Sequence, residues 1–205
     1  MLKEERLYLE NKEKVYNPKR IIYKTVSLNN QKGENFLDEK GSGDFNLNHE
    51  NGDWEKGTYL NGLKVGEWQS YNKKDNETYT DEYKDGVYLS GQTIKVNGET
   101  LTYQEIEKLP EFPKGVEAFG KFLGKNLRYP TDARNNGTQG KVYIRFTVNI
   151  DGSLSNINVI KSVANDIDQE ALRVMELSPN WIPAMKRGIP YKTNYTIPIF
   201  FQLAN

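Results

Sequence analysis

The sequence predicts two domains: an all-β domain of repeated hairpins, then an α+β domain whose three-stranded antiparallel sheet packs with two helices. Glycine and aromatic residues recur at a fixed spacing in the front half, a segment with two prolines follows, and the back half mixes helical and alternating patterns. A chain of 205 residues is long enough for two small cores. We therefore expect domains over residues 1–108 and 117–205, joined by a linker at 109–116.

Charged side chains balance overall, at 28 basic and 28 acidic, but are unevenly distributed. Residues 1–111 hold 16 basic and 21 acidic side chains, whereas residues 112–205 hold 12 and 7. The overall balance argues against nucleic acid as a partner, and the split fits either two domains with different partners or ordinary variation of surface charge. The chain has no cysteine, which excludes a disulfide framework and a thiolate metal site.

The front half repeats a short pattern in which glycine and an aromatic residue keep their spacing. Gly43-Asp44-Phe45 recurs as Gly66-Glu67-Trp68 after 23 residues, and Tyr59-Leu60-Asn61-Gly62 recurs as Tyr83-Lys84-Asp85-Gly86 after 24. Asn-Gly and Asp-Gly pairs supply the positive backbone angles of two-residue hairpin turns, and aromatic residues favour strands. Each repeat therefore predicts one β-hairpin, and the clearest repeats span residues 41–91.

The pattern Gly-x-Trp-x-x-Tyr at 66–71, followed by Tyr-x-x-Gly at 83–86, resembles MORN-type repeats of bacterial envelope proteins. Its aromatic side chains allow two interpretations. They either pack between successive hairpins or form an exposed aromatic surface for a glycan or a peptide. The residues concerned are Trp54, Tyr59, Trp68, Tyr71, Tyr83 and Tyr88.

The back half begins with a predicted helix and a predicted hairpin. Apolar residues recur at helical spacing over 116–128, and Pro130 ends that helix because it restricts the residue before it. Alternation of apolar and polar residues over 142–150 predicts the first strand. Asp151-Gly152 predicts a tight turn into a second strand over 154–159, where a change of parity indicates a bulge.

The remaining pattern predicts a second helix and a last strand that lies at an edge of the sheet. Asp166 is expected to cap the helix, and alternation resumes over 195–203. A helical crossover makes the second and third strands run in the same direction, so an antiparallel sheet requires the order 2-1-3. Pro198 favours an edge because proline has no amide hydrogen. Its backbone is expected to face the open side, together with the backbones of Thr196, Phe200 and Gln202.

The back half resembles the TonB C-terminal domain family over residues 117–205. The order and spacing that carry the resemblance are those of Tyr129-Pro130, Ala133-Arg134, Gly137, Gly140, Asp151-Gly152, Trp181-Ile182-Pro183-Ala184 and Gly188, followed by the last strand. The resemblance implies that the last strand accepts a TonB-box peptide of an outer-membrane receptor as an added strand, for energy transduction to TonB-dependent transport. The peptide-binding residues it implies are Arg128, Tyr129, Pro130, Tyr195, Thr196, Ile197, Pro198, Ile199, Phe200, Phe201, Gln202 and Leu203.

The same resemblance implies a periplasmic, cell-envelope protein. The start of the sequence lacks the apolar run of a signal peptide, so either the protein is cytoplasmic or an export or anchor segment has been removed. The resemblance favours the second alternative. An ExbB-ExbD-like complex is an expected partner only where an anchor helix precedes this chain. The alternatives are a periplasmic scaffold whose repeats bind peptidoglycan, lipid or a partner protein, the sensor end of a larger membrane peptidase or signalling protein, and a homodimer formed through the edge strand.

Catalytic chemistry finds little support in the sequence, and we expect a non-enzymatic protein without cofactor or metal. His49, the single histidine, lies in an Asn- and Gly-rich stretch typical of a solvated loop. Asp166, Asp168 and Glu170 fall in the first turn of the second predicted helix, where carboxylates complement the helix dipole. No nucleophile or phosphate-binding motif is present.

Overall fold

The computed structural model describes residues 8–15, 22–30 and 36–203, and the chain divides into two compact units between Ile106 and Glu107. In the first unit, β1 (Tyr8–Val15) pairs antiparallel with β2 (Ile22–Asn30). Six further strands form one antiparallel sheet in chain order. They are β3 (Gly43–Asn48), β4 (Trp54–Leu60), β5 (Leu63–Asn72), β6 (Glu77–Lys84), β7 (Val87–Ile94) and β8 (Thr100–Tyr103).

The repeated Asn-Gly and Asp-Gly pairs form the turns of this sheet. Asn61 and Gly62 join β4 to β5 with φ angles of 51° and 76°, and Asp85 and Gly86 join β6 to β7 with 50° and 75°. Two successive positive φ angles define the turn whose twist matches antiparallel strands. The two turns therefore have the same geometry for the same chemical reason, which accounts for the repeat seen in the sequence.

The aromatic set of the front half does not form one exposed surface. Tyr59 and Trp68 are only 5% and 3% exposed, and both pack with Phe45 in the core of the first unit. An added Cβ at Gly57 would lie 2.2 Å from the Trp68 ring, so the indole lies directly on the backbone of β4. Of the two interpretations, packing between hairpins therefore holds for Tyr59 and Trp68, and the alternative of an exposed surface is wrong for them, because these rings fill the core between neighbouring strands.

The second unit contains three helices and two small antiparallel sheets. Its elements are β9 (Glu107–Lys108), α1 (Gly115–Asn126), α2 (Thr131–Asn135), β10 (Gly140–Val148), β11 (Leu154–Lys161), α3 (Asn165–Glu176), β12 (Ala184–Lys186), β13 (Ile189–Tyr191) and β14 (Thr193–Phe201). The main sheet has the order β11-β10-β14, and the smaller sheet has the order β13-β12-β9. The short helix α2 and the smaller sheet are additions to the predicted architecture, since neither is long enough to give a periodic signal.

The core of the second unit lies between the inner face of the main sheet and the helices α1 and α3. Phe146 of β10 is fully buried and packs edge-on against Trp181, with ring centroids 5.0 Å apart. Phe112 packs against the same indole at 5.7 Å and is itself buried. The interpretation of residues 109–116 as a linker is therefore wrong, because Phe112 anchors this segment in the core of the second unit.

Two local expectations in the second unit have different outcomes. The bulge in the returning strand is confirmed, since the register of β10 with β11 shifts and Asn156 takes a φ of 51°. The expected cap is wrong, because α3 starts earlier and Ala164 is its capping residue. Asp166 instead accepts the backbone N–H of Ala133 at 3.0 Å, and this bond ties α3 to α2.

Candidate functional site

The strand β14 forms one of the two edges of the main sheet in the second unit, and β11 forms the other. Among the residues that the structure describes, β14 pairs only with β10, through a continuous register from Thr193 opposite Val148 to Phe201 opposite Gly140. Ile197, Ile199 and Phe201 face the core, and the residues between them are exposed. A strand with one partner leaves half of its backbone donors and acceptors available to another chain.

Pro198 identifies which backbone groups face outward. It lies opposite Tyr143 of β10 and contributes no amide hydrogen to that ladder. Pairs in an antiparallel ladder alternate between hydrogen-bonded and non-hydrogen-bonded, so proline fits the second kind. The same parity makes the N–H and C=O groups of Thr196 and Phe200 point away from β10. Gln202 follows the end of β14, and Leu203 donates its N–H to the Gln139 side chain at 2.8 Å.

The Tyr129-Pro130 segment lies beside the carboxyl end of β14. The Tyr129 ring meets Phe201 edge-on, with centroids 5.8 Å apart, and its hydroxyl donates to the Thr138 carbonyl. Pro130 precedes the first turn of α2 and has extended backbone angles. Arg134 of that helix lies 6.0 Å from the Tyr129 ring. The segment is therefore fixed against the last strand by packing and by a hydrogen bond.

Arg128 is held at the junction of the helices through its backbone. Its N–H donates to the Glu170 carboxylate at 2.6 Å, and Arg173 makes a second contact of 2.6 Å with the same carboxylate. Burial alone would raise the pKa of Glu170, but hydrogen bonds from Arg173 and from the Arg128 amide outweigh it and lower that pKa. Glu170 thus orients the chain just before Tyr129, and the Arg128 side chain remains exposed.

The predicted site residues of the second unit lie together, whereas those of the first unit lie on both faces of its six-stranded sheet. Tyr129 and the residues of β14 come together at one edge, whereas Trp54 and Tyr71 lie on the sheet face opposite Trp68. Sequence reasoning missed the cations on the outer face of the main sheet, which includes Lys141 and Arg145. The signal was available, because both alternate with the buried residues of β10.

No group of metal-ligating side chains occurs within the described ranges 8–15, 22–30 and 36–203. His49 is exposed and lies in the turn between β3 and β4, where its N–H donates to the Asp53 carbonyl. Over the same described ranges, no helix has the length and apolarity to cross a membrane.

The comparison with protein families agrees with the geometry of the second unit. The family model described as the Gram-negative bacterial TonB protein C-terminal covers residues 125–203. These residues match the TonB C-terminal domain family. Protein TonB of Helicobacter pylori strain ATCC 700392 / 26695 is 35% identical over 82 residues, which are 40% of this chain and 27% of that protein. Protein TonB of strain J99 / ATCC 700824 is also 35% identical, over 28% of its length.

The matched segment thus spans about a quarter of these TonB relatives. A solution NMR structure of the Helicobacter pylori TonB-CTD is 27% identical, with a TM-score of 0.33, and the alignment covers 42% of this chain and 78% of that one. The residues that the family model matches all lie in the second unit of the chain.

Proposed function

We propose that the protein binds an extended peptide segment of an outer-membrane receptor, which adds to β14 as a further antiparallel or parallel strand. The observation that supports this most directly is the nine-residue strand β14, which has one ladder partner among the described residues and carries an outward-facing proline. Main-chain hydrogen bonds supply the affinity in this mode of recognition, and alternate side chains supply the specificity.

The available backbone groups set the strength of such a contact. Thr196 and Phe200 each offer an N–H and a C=O on the open side, and Pro198 offers a C=O only. Each neutral hydrogen bond contributes about 0.5–1.5 kcal/mol net. A handful of such bonds gives a weak, reversible complex, which suits a contact that must form and release repeatedly.

The test is backbone-amide NMR of the full chain, titrated with synthetic peptides from the N-terminal segments of TonB-dependent outer-membrane receptors. We expect shifts at Thr196, Phe200, Gln202 and Tyr129, with little change in β11. A peptide N-methylated at alternate residues is the matched control, because it keeps its side chains and loses the donors that face β14. Equal binding of both peptides, or shifts confined to the first unit, would refute strand addition at β14.

In the wider function that we propose, this contact takes part in energy transduction to transport across the outer membrane, in the cell envelope. The protein then acts by binding and not by catalysis. Transduction requires a membrane anchor coupled to an energising complex of the ExbB-ExbD kind, so we propose it for a chain that carries such an anchor. Co-purification of the full-length gene product with that complex, and its loss when the anchor is deleted, is the measurement that tests this step.

A second candidate function concerns the first unit, which we propose to be a MORN-type repeat domain that binds a glycan such as peptidoglycan. Trp54 pairs with Tyr71 on the hydrophilic face of the sheet, where their rings stack with centroids 6.2 Å apart. The next cross-strand pair on this face is Lys56 with Gln69, which line an open cavity of about 350 Å³. Half-buried rings beside amide and ammonium groups suit a sugar, which presents both apolar and hydroxyl surfaces.

Co-sedimentation with purified peptidoglycan tests this second function. The double variant Trp54→Ala, Tyr71→Ala should remain in the supernatant, while Leu60→Ser, an exposed change in a hairpin turn, should behave as the wild type. Sedimentation of the double variant to the wild-type extent would count against a glycan site on this face.

A further inference from the structure

The outer face of the main sheet in the second unit carries only cationic charge. Residues on this face follow from the registers of β10 with β11 and β14, and three of them are cations, Lys141, Arg145 and Lys161. None of the paired residues of this face is Asp or Glu. Within the described part of the chain, none of the three cations forms an ion pair.

Lys141 reaches across β14 toward the open edge. It lies on the central strand, directly opposite Phe200, and its ammonium group is 4.8 Å from the centroid of the Phe200 ring. Phe200 is 55% exposed and belongs to the edge strand. A cation over an aromatic ring is attracted by the ring face, so the contact holds the charge one strand closer to the edge than its backbone.

An added strand would place its own side chains next to this charge. Neighbouring strands are about 4.8 Å apart, and directly opposite residues have Cβ atoms about 4.5–5.5 Å apart on the same face. The peptide residue opposite Phe200 therefore projects onto the outer face beside the aromatic ring. A carboxylate there lies within reach of the Lys141 ammonium across the ring.

We propose that the β14 edge selects extended peptides that carry a carboxylate opposite Phe200, and that Lys141 reads this carboxylate. The inference rests on the proposed strand addition and names the chemical class of its ligand: an acidic peptide segment. Arg145 is a second cation on this face, four residues along β10, but it lies opposite Thr196, which has no aromatic ring to hold the charge nearer the edge.

The test uses the full chain and a defined peptide panel. The peptides are acetylated, amidated octamers that alternate valine and threonine, with one glutamate at each threonine position in turn, and a matching set with glutamine. Affinities are read from the amide shifts of β14 by NMR. The protein variants are Lys141→Met, which keeps the apolar stem over Phe200, and Lys161→Met as the control on the same face, at the β11 edge.

We expect the best glutamate peptide to bind about two- to fivefold more tightly than its glutamine counterpart, which is the range that an exposed ion pair supplies. The difference should disappear in Lys141→Met, persist in Lys161→Met and shrink at 0.5 M salt. If glutamate and glutamine peptides shift β14 with equal affinity, the acidic preference is refuted while strand addition stands. If no peptide shifts β14, both proposals fail. An equal loss of affinity for the glutamate and the glutamine peptide in Lys141→Met would also overturn the proposal that Lys141 recognises the carboxylate.

Discussion

A proline substitution at Thr196 separates the two sides of the β14 backbone. Thr196 is exposed and lies opposite Arg145, two residues before Pro198, so its N–H points away from β10. Proline there removes no ladder hydrogen bond, and its ring restricts the preceding residue to the extended region that a strand already uses. We expect Thr196→Pro to change the free energy of unfolding by less than about 1 kcal/mol.

The neighbouring position gives the opposite result. Ile197 is buried and faces Ile144 of β10, so by the same alternation its N–H belongs to the ladder. Ile197→Pro breaks that bond and disturbs the core, which costs about 3 kcal/mol or more. Urea denaturation, followed by the amide NMR signals of the second unit, compares the two variants directly. Equal destabilisation by the two prolines would refute the assignment of outward-facing groups.

The same variant then tests peptide binding. In Thr196→Pro, residues 196 and 198 are both prolines, so of residues 196, 198 and 200 only Phe200 keeps an outward N–H. The new proline ring also fills space beside the edge. The loss of one neutral hydrogen bond, about 1 kcal/mol, corresponds to roughly fivefold weaker binding. Thr196→Val keeps both the N–H and the β-branched shape, and should bind as the wild type. Unchanged affinity in Thr196→Pro would contradict strand addition at this register.

Three further substitutions probe the second unit. Phe112→Ala should cost about 3–5 kcal/mol of unfolding free energy, because a buried ring between α1 and Trp181 leaves a cavity, and urea denaturation measures it. Gly152→Ala should also destabilise, since φ is 82° and the new Cβ would lie 2.0 Å from the Trp181 carbonyl oxygen. Glu170→Gln should lower stability at neutral pH. Because the folded pKa of Glu170 is depressed, that difference should be constant above the ordinary pKa of about 4.3 and disappear as pH falls through the folded value.

Each of these has a matched control or a contradicting result. Leu109→Ala removes an exposed side chain from the same segment as Phe112 and should be neutral. Gly137→Ala has a similar φ of 64° but no atom near the new Cβ, so it isolates backbone strain from collision at Gly152. A stability difference for Glu170→Gln that persists at pH 2 would show that packing, and not the charge, is responsible.

Much of the fold could be predicted from the sequence, because it depends on the chemistry of residues that are neighbours in the chain. The Asn61-Gly62 and Asp85-Gly86 turns need two successive positive φ angles, and few other residue pairs adopt them. The bulge at Asn156 was visible because it shifts the apolar residues of β11 out of phase. Signals of this kind involve residues that are adjacent in the chain, so they can be recognised without knowledge of the tertiary structure.

The predictions that failed concern residues whose partners are distant in the sequence. Phe112 lies between two prolines in a segment with no periodicity, and its burial depends on Trp181, which is distant in the sequence. Asp166 resembled a cap, yet its partner is the backbone of Ala133 in another helix. The faces of the front sheet were predictable in part, because Trp54 and Tyr59 differ in parity along one strand.

The proposed strand addition requires the open edge of β14 to accept a peptide without pairing to its own copy, and the same residues would serve both requirements. Pro198 removes one donor from the outward row, so a second copy of β14 can form only an interrupted ladder. An antiparallel pair of two such edges would also bring two cationic faces together, with Lys141 and Arg145 from each copy on the same side. An acidic peptide meets the same missing donor but gains the attraction that a second copy would lack. Charge on the outer face therefore favours a foreign strand over a self-paired one, which is a physical reason for cations on this face of the sheet.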